Sequence, residues 1–215
     1  MTTEQQQEKT RKINAGAWAP RIAIRDPAGE LIGHLAPLNP AALVLPSLME
    51  AITRWRASQA AAFATHFIPT TERTREWLKG IVLQDQRRIF CIIHHQGQPV
   101  GHLGFRDLDA ESYQGDNLVR GERGGGANFM RYASWAFHAW AMREFGVERC
   151  WGRVMADNQP AIDFNVSLGA TLGSVREPAG APENSPRQVA TELTWDNLLR
   201  AAPPAVIRDF LPREG

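Results

Sequence analysis

The most informative segment of the sequence is the glycine-rich Gly121-Glu122-Arg123-Gly124-Gly125-Gly126. A long apolar segment follows it directly. A short strand is predicted just before it, at Tyr113–Val119. A long helix is predicted just after it, from about Ala127, where apolar residues recur at helical spacing. This helix should end near Phe145-Gly146, because glycine readily takes the left-handed conformation that closes a helix. The sequence thus predicts a strand, a glycine-rich turn and a helix in succession.

Such a turn exposes backbone N–H groups beside the positive end of a helix, an arrangement that suits a pyrophosphate. A plain flexible loop would also account for three consecutive glycines. Two familiar phosphate loops do not fit. A Walker loop ends in Gly-Lys-Ser/Thr, whereas Gly126 is followed by Ala127 and Asn128, and a dinucleotide-binding fingerprint needs glycine where Phe129 stands.

The segments on either side alternate between strand and helix signals, which predicts an α/β (α+β) chain. Turn residues at Asp26-Pro27-Ala28-Gly29 and Gln96-Gly97-Gln98-Pro99 predict two hairpins, and the Pro- and Gly-rich stretch Pro178–Pro186 predicts a surface loop. The other predicted strands are Arg21–Ile24, Leu31–Leu35, Ile89–Ile93, Val100–Phe105, Arg149–Met155, Ala170–Val175 and Gln188–Trp195, and the other helices are Ser47–Ala62, one capped by Thr70 or Thr71, and Asn158–Leu168.

A chain of 215 residues is long enough for one hydrophobic core, and it contains no internal repeat. We expect a disordered segment at 1–15, a single domain at 16–202 and a tail at 203–215. Cys91 and Cys150 lie in apolar runs without paired spacing, so we expect buried free thiols.

The charge balance argues against a nucleic-acid partner. The chain has 24 Lys and Arg against 23 Asp and Glu, a net charge of +1, and no basic run. Its polar start lacks the apolar region of a secretory signal, and no apolar stretch reaches membrane-spanning length. We therefore expect a cytoplasmic protein with neither a membrane nor a nucleic acid as partner.

Two motifs resemble the GNAT superfamily of acetyltransferases. Its pyrophosphate loop has Gln or Arg, two variable residues, Gly, one variable residue, then Gly or Ala, and Arg123, Gly126 and Asn128 stand at those positions. Downstream, Asn158, Ala161 and Gly169 match the segment Asn-x-x-Ala-x-x-x-Tyr-x-x-x-Gly-Phe. The resemblance covers about Thr70 to Arg176 and departs from the family at Asn128 and Asn165.

The resemblance implies a GNAT-like splayed mixed β-sheet flanked by helices, with CoA between the strands that precede and follow the long helix. Acetyl-CoA would be a co-substrate. Asn158 would contact the pantetheine arm, or cap a helix, or do both. The other cofactor-binding residues implied are Leu118, Val119 and Arg120 along the pantetheine, and Arg123, Gly124, Gly125, Gly126, Ala127, Asn128 and Phe129 at the pyrophosphate.

Transfer to an alkyl ammonium requires removal of a proton, which a carboxylate or a histidine can accept. Asp116, on the strand that leads into the glycine-rich turn, is our first candidate for this base, and an exposed structural carboxylate is the alternative. His102 is the second, if strand alternation points it toward the cleft; a structural histidine is the alternative. Asn165 replaces the tyrosine that often protonates the thiolate, so we expect water in that role. No metal site is expected, since His94 and His95 have no further ligand at suitable spacing.

The first functional hypothesis is N-acetylation of a small primary amine by direct attack in a ternary complex. Amino sugars or nucleotide-linked amino sugars are preferred, because Asp116–Gly121 resembles a stretch of sugar-modifying members, and Arg106 or Arg120 could meet a phosphate. A ribosomal-protein-type N-terminal acetyltransferase is the second hypothesis, since Thr71–Leu78 resembles that group. The third is a noncatalytic CoA-binding protein. One of the seven tryptophans could line the acceptor pocket or a homodimer interface.

Overall fold

A computed structural model describes residues 1–59, 68–176 and 187–212. Seven α-helices in these ranges are α1 Thr3–Asn14, α2 Pro46–Ser58, α3 Thr71–Trp77, α4 Phe129–Phe145, α5 Gln159–Ser167, α6 Trp195–Ala201 and α7 Pro204–Ile207. The strands are β1 Ile22–Arg25, β2 Leu31–Pro37, β3 Ile89–His95, β4 Gln98–Arg106, β5 Ser112–Arg120, β6 Arg149–Met155, β7 Thr171–Arg176 and β8 Gln188–Thr194. Pro40–Val44 and Arg208–Phe210 are 3-10 turns, and Leu78–Val82 is a π turn continuing α3.

The eight strands form one mixed sheet in the order β1-β2-β3-β4-β5-β6-β8-β7. β5 and β6 pair in parallel, and every other neighbouring pair is antiparallel. The parallel pair is short, joining Ser112–Gln114 to Arg149–Trp151, while β5 continues to Arg120 and β6 to Met155. The expected splayed sheet is confirmed, and its split lies between the strands that flank α4.

Helix α4 covers one face of the sheet and α2 with α3 covers the other. On the α4 face, Phe105, Phe137 and Phe145 are fully buried. On the opposite face, Trp55 of α2 packs with Phe90 of β3. Gly146 ends α4 in the left-handed conformation, φ 64°, as expected. The sheet is therefore buried on both faces around the split.

The expected disorder at 1–15 is wrong, because α1 occupies most of this segment. Thr2 and Gln5 form a reciprocal capping box at its start. Ile13 is only 1% exposed, and the buried Gln6 donates from Nε2 to the Phe145 carbonyl at 2.9 Å. The buried positions 6, 10, 13 and 14 follow helical spacing but include one apolar residue, which hid the helix from a reading based on hydrophobicity.

The expected tail at 203–215 is also partly ordered, because α7 buries Val206 and Ile207 against the core. Residues 213–215 lie outside the described ranges, as do the end of the predicted helix Ser47–Ala62, whose described part stops at Ser58, and the predicted loop Pro178–Pro186. Cys91 and Cys150 are buried and free, as expected.

None of the helices in the described ranges combines the length and the apolar character needed to cross a membrane.

Candidate active site

The split between β5 and β6 opens into a cleft of about 690 Å³. Both strands line it where they diverge, and β4, β8, α4 and α5 supply other walls. The lining contains both polar and apolar side chains. The lining includes Asp116, Asn117 and Leu118 of β5, Arg153 of β6, Ser134 and His138 of α4, Asn158 at the start of α5 and Asn165 within it.

A β-bulge in β5 sets the direction of the residues that line the cleft. His102 pairs with Val119 and Gly104 with Asp116, so the one residue between them on β4 opposes Asn117 and Leu118. Asn117 takes the left-handed conformation, φ 54°, which asparagine tolerates better than most residues. Bulges re-aim side chains next to active sites. Here the bulge directly follows Asp116, which is half-buried in the cleft wall.

Asp116 belongs to a hydrogen-bonded group that reaches α2. The Asn117 side chain donates from Nδ2 to Asp116 Oδ2, and Arg56 Nη1 donates to Asn117 Oδ1 at 3.2 Å. Arg56 is 7% exposed, and its guanidinium lies 3.9 Å from the centre of the Trp77 ring. Burial lowers the pKa of Arg56, and the charge of Asp116 acts in the opposite direction. A carboxylate and a guanidinium therefore flank one amide at the edge of the cleft.

His102 is fully buried and is not among the residues that line the cleft. Its ring lies between Trp55 and Phe90 on the α2 face, with centroids 6.1 and 4.7 Å away. Nδ1 is 2.7 Å from the Asn117 carbonyl, so this nitrogen carries the hydrogen. Burial lowers the pKa of His102 to about 3, against a smaller opposing effect of that hydrogen bond. The structure places this candidate base on the face of the sheet that α2 covers, where it donates to the Asn117 carbonyl at the bulge.

The glycine loop presents unused backbone donors. Gly125 and Gly126 have φ of 71° and 80°, a region that side-chain-bearing residues rarely adopt. In the described part of the chain, the amides of residues 123–128 have no hydrogen-bond partner. They stand at the start of α4, where the helix dipole favours an anion. Six free backbone donors at the start of a helix suit an anionic ligand.

Arg120 closes this loop on itself, which sequence reasoning did not predict. Its Nη2 donates to the carbonyls of Gly124 and Gly126, both at 3.2 Å. Arg120, Arg123, Gly124 and Gly126 also enclose a hollow of about 540 Å³ at the loop. In a trans peptide the C=O and the following N–H point in opposite directions, so these two bonds turn the amides of Gly125 and Ala127 away from Arg120.

Helix α2 supports the start of the loop. A Cβ at Gly121 would lie 2.1 Å from the Trp55 ring, so only glycine fits there. Trp55 Nε1 donates to Glu122 Oε1 at 2.9 Å, and Arg54 pairs with the same carboxylate. These bonds hold the pKa of Glu122 below its usual value. Glu122 thereby ties the loop to α2.

Asn158 caps α5, one of the two roles considered for it, and it also lines the cleft. Its Oδ1 accepts from the Ala161 amide at 3.2 Å. Asn165, one turn further, donates from Nδ2 to the Ala161 carbonyl at 2.8 Å. Because this bond turns the amide back onto its own helix, Asn165 does not supply the proton donor that a tyrosine would.

Two buried polar residues of the cleft, Ser134 and His138, lie one turn apart on α4. The Tyr113 hydroxyl, on β5, lies 2.8 Å from Nδ1 of His138. Ser134 Oγ is buried without a partner in the described residues. Burial lowers the pKa of His138 to about 4 and raises the pKa of Cys150 to about 12. Sequence reasoning did not single out these two residues, although their spacing of four on a mostly buried helix was the available signal.

The structure thus brings Asp116, Leu118, Val119 and Asn158 to one cleft, and it gathers Arg120, Arg123, Gly124 and Gly126 around one hollow. Ala127 and Asn128 continue the loop into α4, while the Phe129 ring is 1% exposed and packs in the core. His102, the second candidate base, is buried on the face of the sheet that α2 covers and does not line this cleft.

Comparison of the sequence with protein-family models identifies the family of this chain. Residues 43–171 match the model of the acetyltransferase (GNAT) domain. No curated protein sequence matches the chain.

Among solved structures, the ribosomal L7/L12 alpha-N-protein acetyltransferase RimL in complex with coenzyme A has a TM-score of 0.68 at 16% identity, covering 83% of this chain and 99% of its own. A probable GNAT-family acetyltransferase from Chromobacterium violaceum has a TM-score of 0.66 at 17% identity, covering 85% and 90%. FdhC, a nucleotide-linked sugar GNAT, has a TM-score of 0.62 at 13% identity, covering 84% and 96%. At these identities the likeness concerns the fold.

The family model spans more than half of the chain, and it agrees with the split sheet, the glycine loop and the cleft between them. The chain therefore belongs to the GNAT acetyltransferase family and is an acetyl-CoA-dependent N-acetyltransferase.

Proposed function

We propose that the acceptor is the primary amine of a small molecule, an amino sugar or a nucleotide-linked amino sugar, acetylated in the cytoplasm. The observation that carries this proposal is the charge pattern of the cleft. Asp116 offers a carboxylate for the ammonium group, and Arg106 and Arg153 offer guanidinium groups along the same cleft. Guanidinium groups suit the phosphates of a nucleotide.

The structural likeness to a nucleotide-linked sugar GNAT supports the same class by analogy of fold.

Acetyl-CoA would be held by the chain's own backbone and side chains. The free amides of residues 123–128 would bind its pyrophosphate, and Leu118, Val119 and Asn158 would line the path of its pantetheine arm. This arrangement delivers the thioester to the split between β5 and β6, where Asp116 stands. Orientation of two reactants in one cleft is a large part of catalysis in a ternary complex.

Asp116 would act as the general base. It takes one proton from the bound ammonium group, and the free amine attacks the thioester carbon. The new N–C bond forms as the C–S bond breaks. The nitrogen gives its second proton to water, and water passes a proton to the departing thiolate, because Asn165 has no acidic group to supply one. The proton held by Asp116 is then released to solvent. A CoA thiol is a tolerable leaving group with a pKa near that of cysteine, about 8.5.

An N-terminal protein acetyltransferase is the second candidate. The likeness in fold to RimL, 99% of whose chain aligns with this one, favours it, as does the resemblance of the sequence Thr71–Leu78 to that group. A peptide acceptor would need to place its N-terminal amine at Asp116 in the same way as a sugar.

An acceptor panel separates the two candidates. Thiol release from acetyl-CoA would be followed with amino sugars, nucleotide-linked amino sugars, polyamines and peptides that begin with Ser or Ala. We expect turnover with the sugars, strongest when a nucleotide is attached. Turnover confined to the peptides would assign the enzyme to the N-terminal class. Absence of turnover with every amine, together with tight acetyl-CoA binding, would contradict the proposed catalytic role.

A further inference from the structure

We propose that Asn117 is a positioning residue that aims the Asp116 carboxylate into the cleft, and that Arg56 on α2 locks Asn117 in the required orientation. The inference rests on the proposed function, since it concerns the base of that reaction. It adds two residues from different elements to the site, neither of which lies on the glycine loop or the α5 motif.

The first step is the orientation of the Asn117 amide. An arginine can only donate hydrogen bonds and a carboxylate can only accept them. Arg56 Nη1 lies 3.2 Å from Asn117 Oδ1, and Asn117 Nδ2 donates to Asp116 Oδ2. A flipped amide would place a donor against Arg56 and an oxygen against Asp116. Arg56 and Asp116 therefore both require the orientation that the structure shows.

The second step is the backbone. Asn117 sits at the bulge with φ 54°, and its carbonyl accepts from the buried His102 at 2.7 Å. Side chain and main chain of the same residue are thus held by different elements, α2 and β4. Since Asp116 directly precedes the bulge, its carboxylate direction depends on this double attachment.

The third step is burial. Arginine is almost never buried unless it is paired. Arg56 is 7% exposed and stacks on Trp77 at 3.9 Å. Removing the Arg56 cation from water costs free energy. Its contact with the Asp116–Asn117 pair gives this buried charge a function.

Other charges also face the cleft near Asp116. Arg106 and Asp107 lie at the end of β4, Arg153 lies on β6, and His138 and Cys150 line the deeper part. These groups are unchanged in the variants below, so a difference from the wild type reports on Asn117.

The test compares two substitutions at one position. Asn117→Asp keeps the shape and the acceptor for Arg56 but sets a negative charge against Asp116, and like charges at this distance oppose ionisation of both. We expect the acid limb of the pH profile of kcat/KM to move up by about one pH unit or more. Asn117→Gly keeps the left-handed backbone and removes only the amide; we expect kcat to fall roughly tenfold with an unchanged KM for acetyl-CoA.

Asn197→Asp is the matched control, because it adds the same charge on α6, outside the residues that line the cleft. Its pH profile should equal that of the wild type. The affinity for CoA and the unfolding temperature of each variant, measured in parallel, verify that each is folded.

An active wild type whose acid limb stays in place in Asn117→Asp, with normal kcat in Asn117→Gly, would overturn this inference and leave the proposed function intact. A wild type that acetylates no amine would overturn the proposed function itself, and the inference with it. The two failures are therefore distinguishable.

Discussion

At the residue scale, the contact between Gly121 and Trp55 links α2 to the glycine loop. Gly121 has a hydrogen atom at the position where every other residue has a Cβ, and the glycine loop depends on this. The Trp55 ring would lie 2.1 Å from that Cβ, which is far inside contact distance, and the same ring donates to the neighbouring Glu122.

Gly121→Ala should therefore push Trp55 and the loop apart. Overpacking of this kind costs about 1–3 kcal/mol of unfolding free energy, and the displaced loop should bind CoA more weakly. Urea unfolding and calorimetric titration with CoA measure both effects. Gly80→Ala is the control, since a Cβ there meets nothing within 4 Å and should leave both values unchanged or slightly improved. Equal stability and affinity in Gly121→Ala would refute the proposed contact.

His102 gives a second prediction at this scale, concerning pH. Its pKa falls from 6.5 in a solvated state to about 3 in the folded protein, chiefly through burial. The unfolded chain therefore binds a proton first as the pH drops, so stability decreases from about pH 6 toward pH 4. His102→Gln removes that proton and can keep a donor for the Asn117 carbonyl.

The slope of unfolding free energy against pH should fall by about 1.4 kcal/mol per pH unit in His102→Gln. Urea unfolding at several pH values measures it. The contribution of His138, whose pKa is also lowered, remains in both proteins. An identical slope in the two proteins would show that His102 does not stay neutral in the folded state.

The sequence pointed to Asp116 near the cleft and left two roles open for His102, a second base or a structural histidine. Strand alternation says that His102 and Leu103 face opposite sides of the sheet, but it does not say which side holds the cleft. The bulge at Asn117 could not be predicted, because nothing local distinguishes an asparagine that turns from one that continues a strand. Both features concern side-chain direction, which only the assembled sheet determines.

At the element scale, α1 is the element that the sequence concealed. Its buried residues are mostly polar and bond within α1, to the end of α4 or to the turn before β3, as the bonds from Gln6 to the Phe145 carbonyl and from Asn14 to the Arg88 carbonyl show. By contrast, α4 and the central strands were predictable because their apolar periodicity is strong and tertiary packing agrees with it.

Ile13→Ala tests whether α1 is part of the folded core. Ile13 is 1% exposed, and truncation of such a residue costs about 2–5 kcal/mol. Arg11→Ala on the exposed side of α1 breaks only a surface pair with Glu8 and should cost less than about 1 kcal/mol. Thermal unfolding of both variants makes the comparison. Similar small losses for the two would mean that α1 does not pack on the core.

At the scale of the whole molecule, the split sheet is the property that creates function. The order of strands could be predicted only through the resemblance to the GNAT superfamily, because local patterns do not encode which strands become neighbours. The glycine loop and Asn158 followed from motifs. The network of Arg56, Asn117 and Asp116 did not, because Arg56 on α2 and Asn117 on β5 are 61 residues apart in the chain.

We infer that acetyl transfer takes place in this cleft, with Asp116 as the base. The most direct measurement is kcat/KM of the wild type and of Asp116→Asn for the best amine in the panel, with CoA affinity determined in both. Asn at 116 keeps an oxygen to accept from Asn117 but cannot take the proton. We predict a loss of about 10²- to 10⁴-fold in kcat/KM with unchanged CoA affinity. Equal activity of the two proteins would contradict the account.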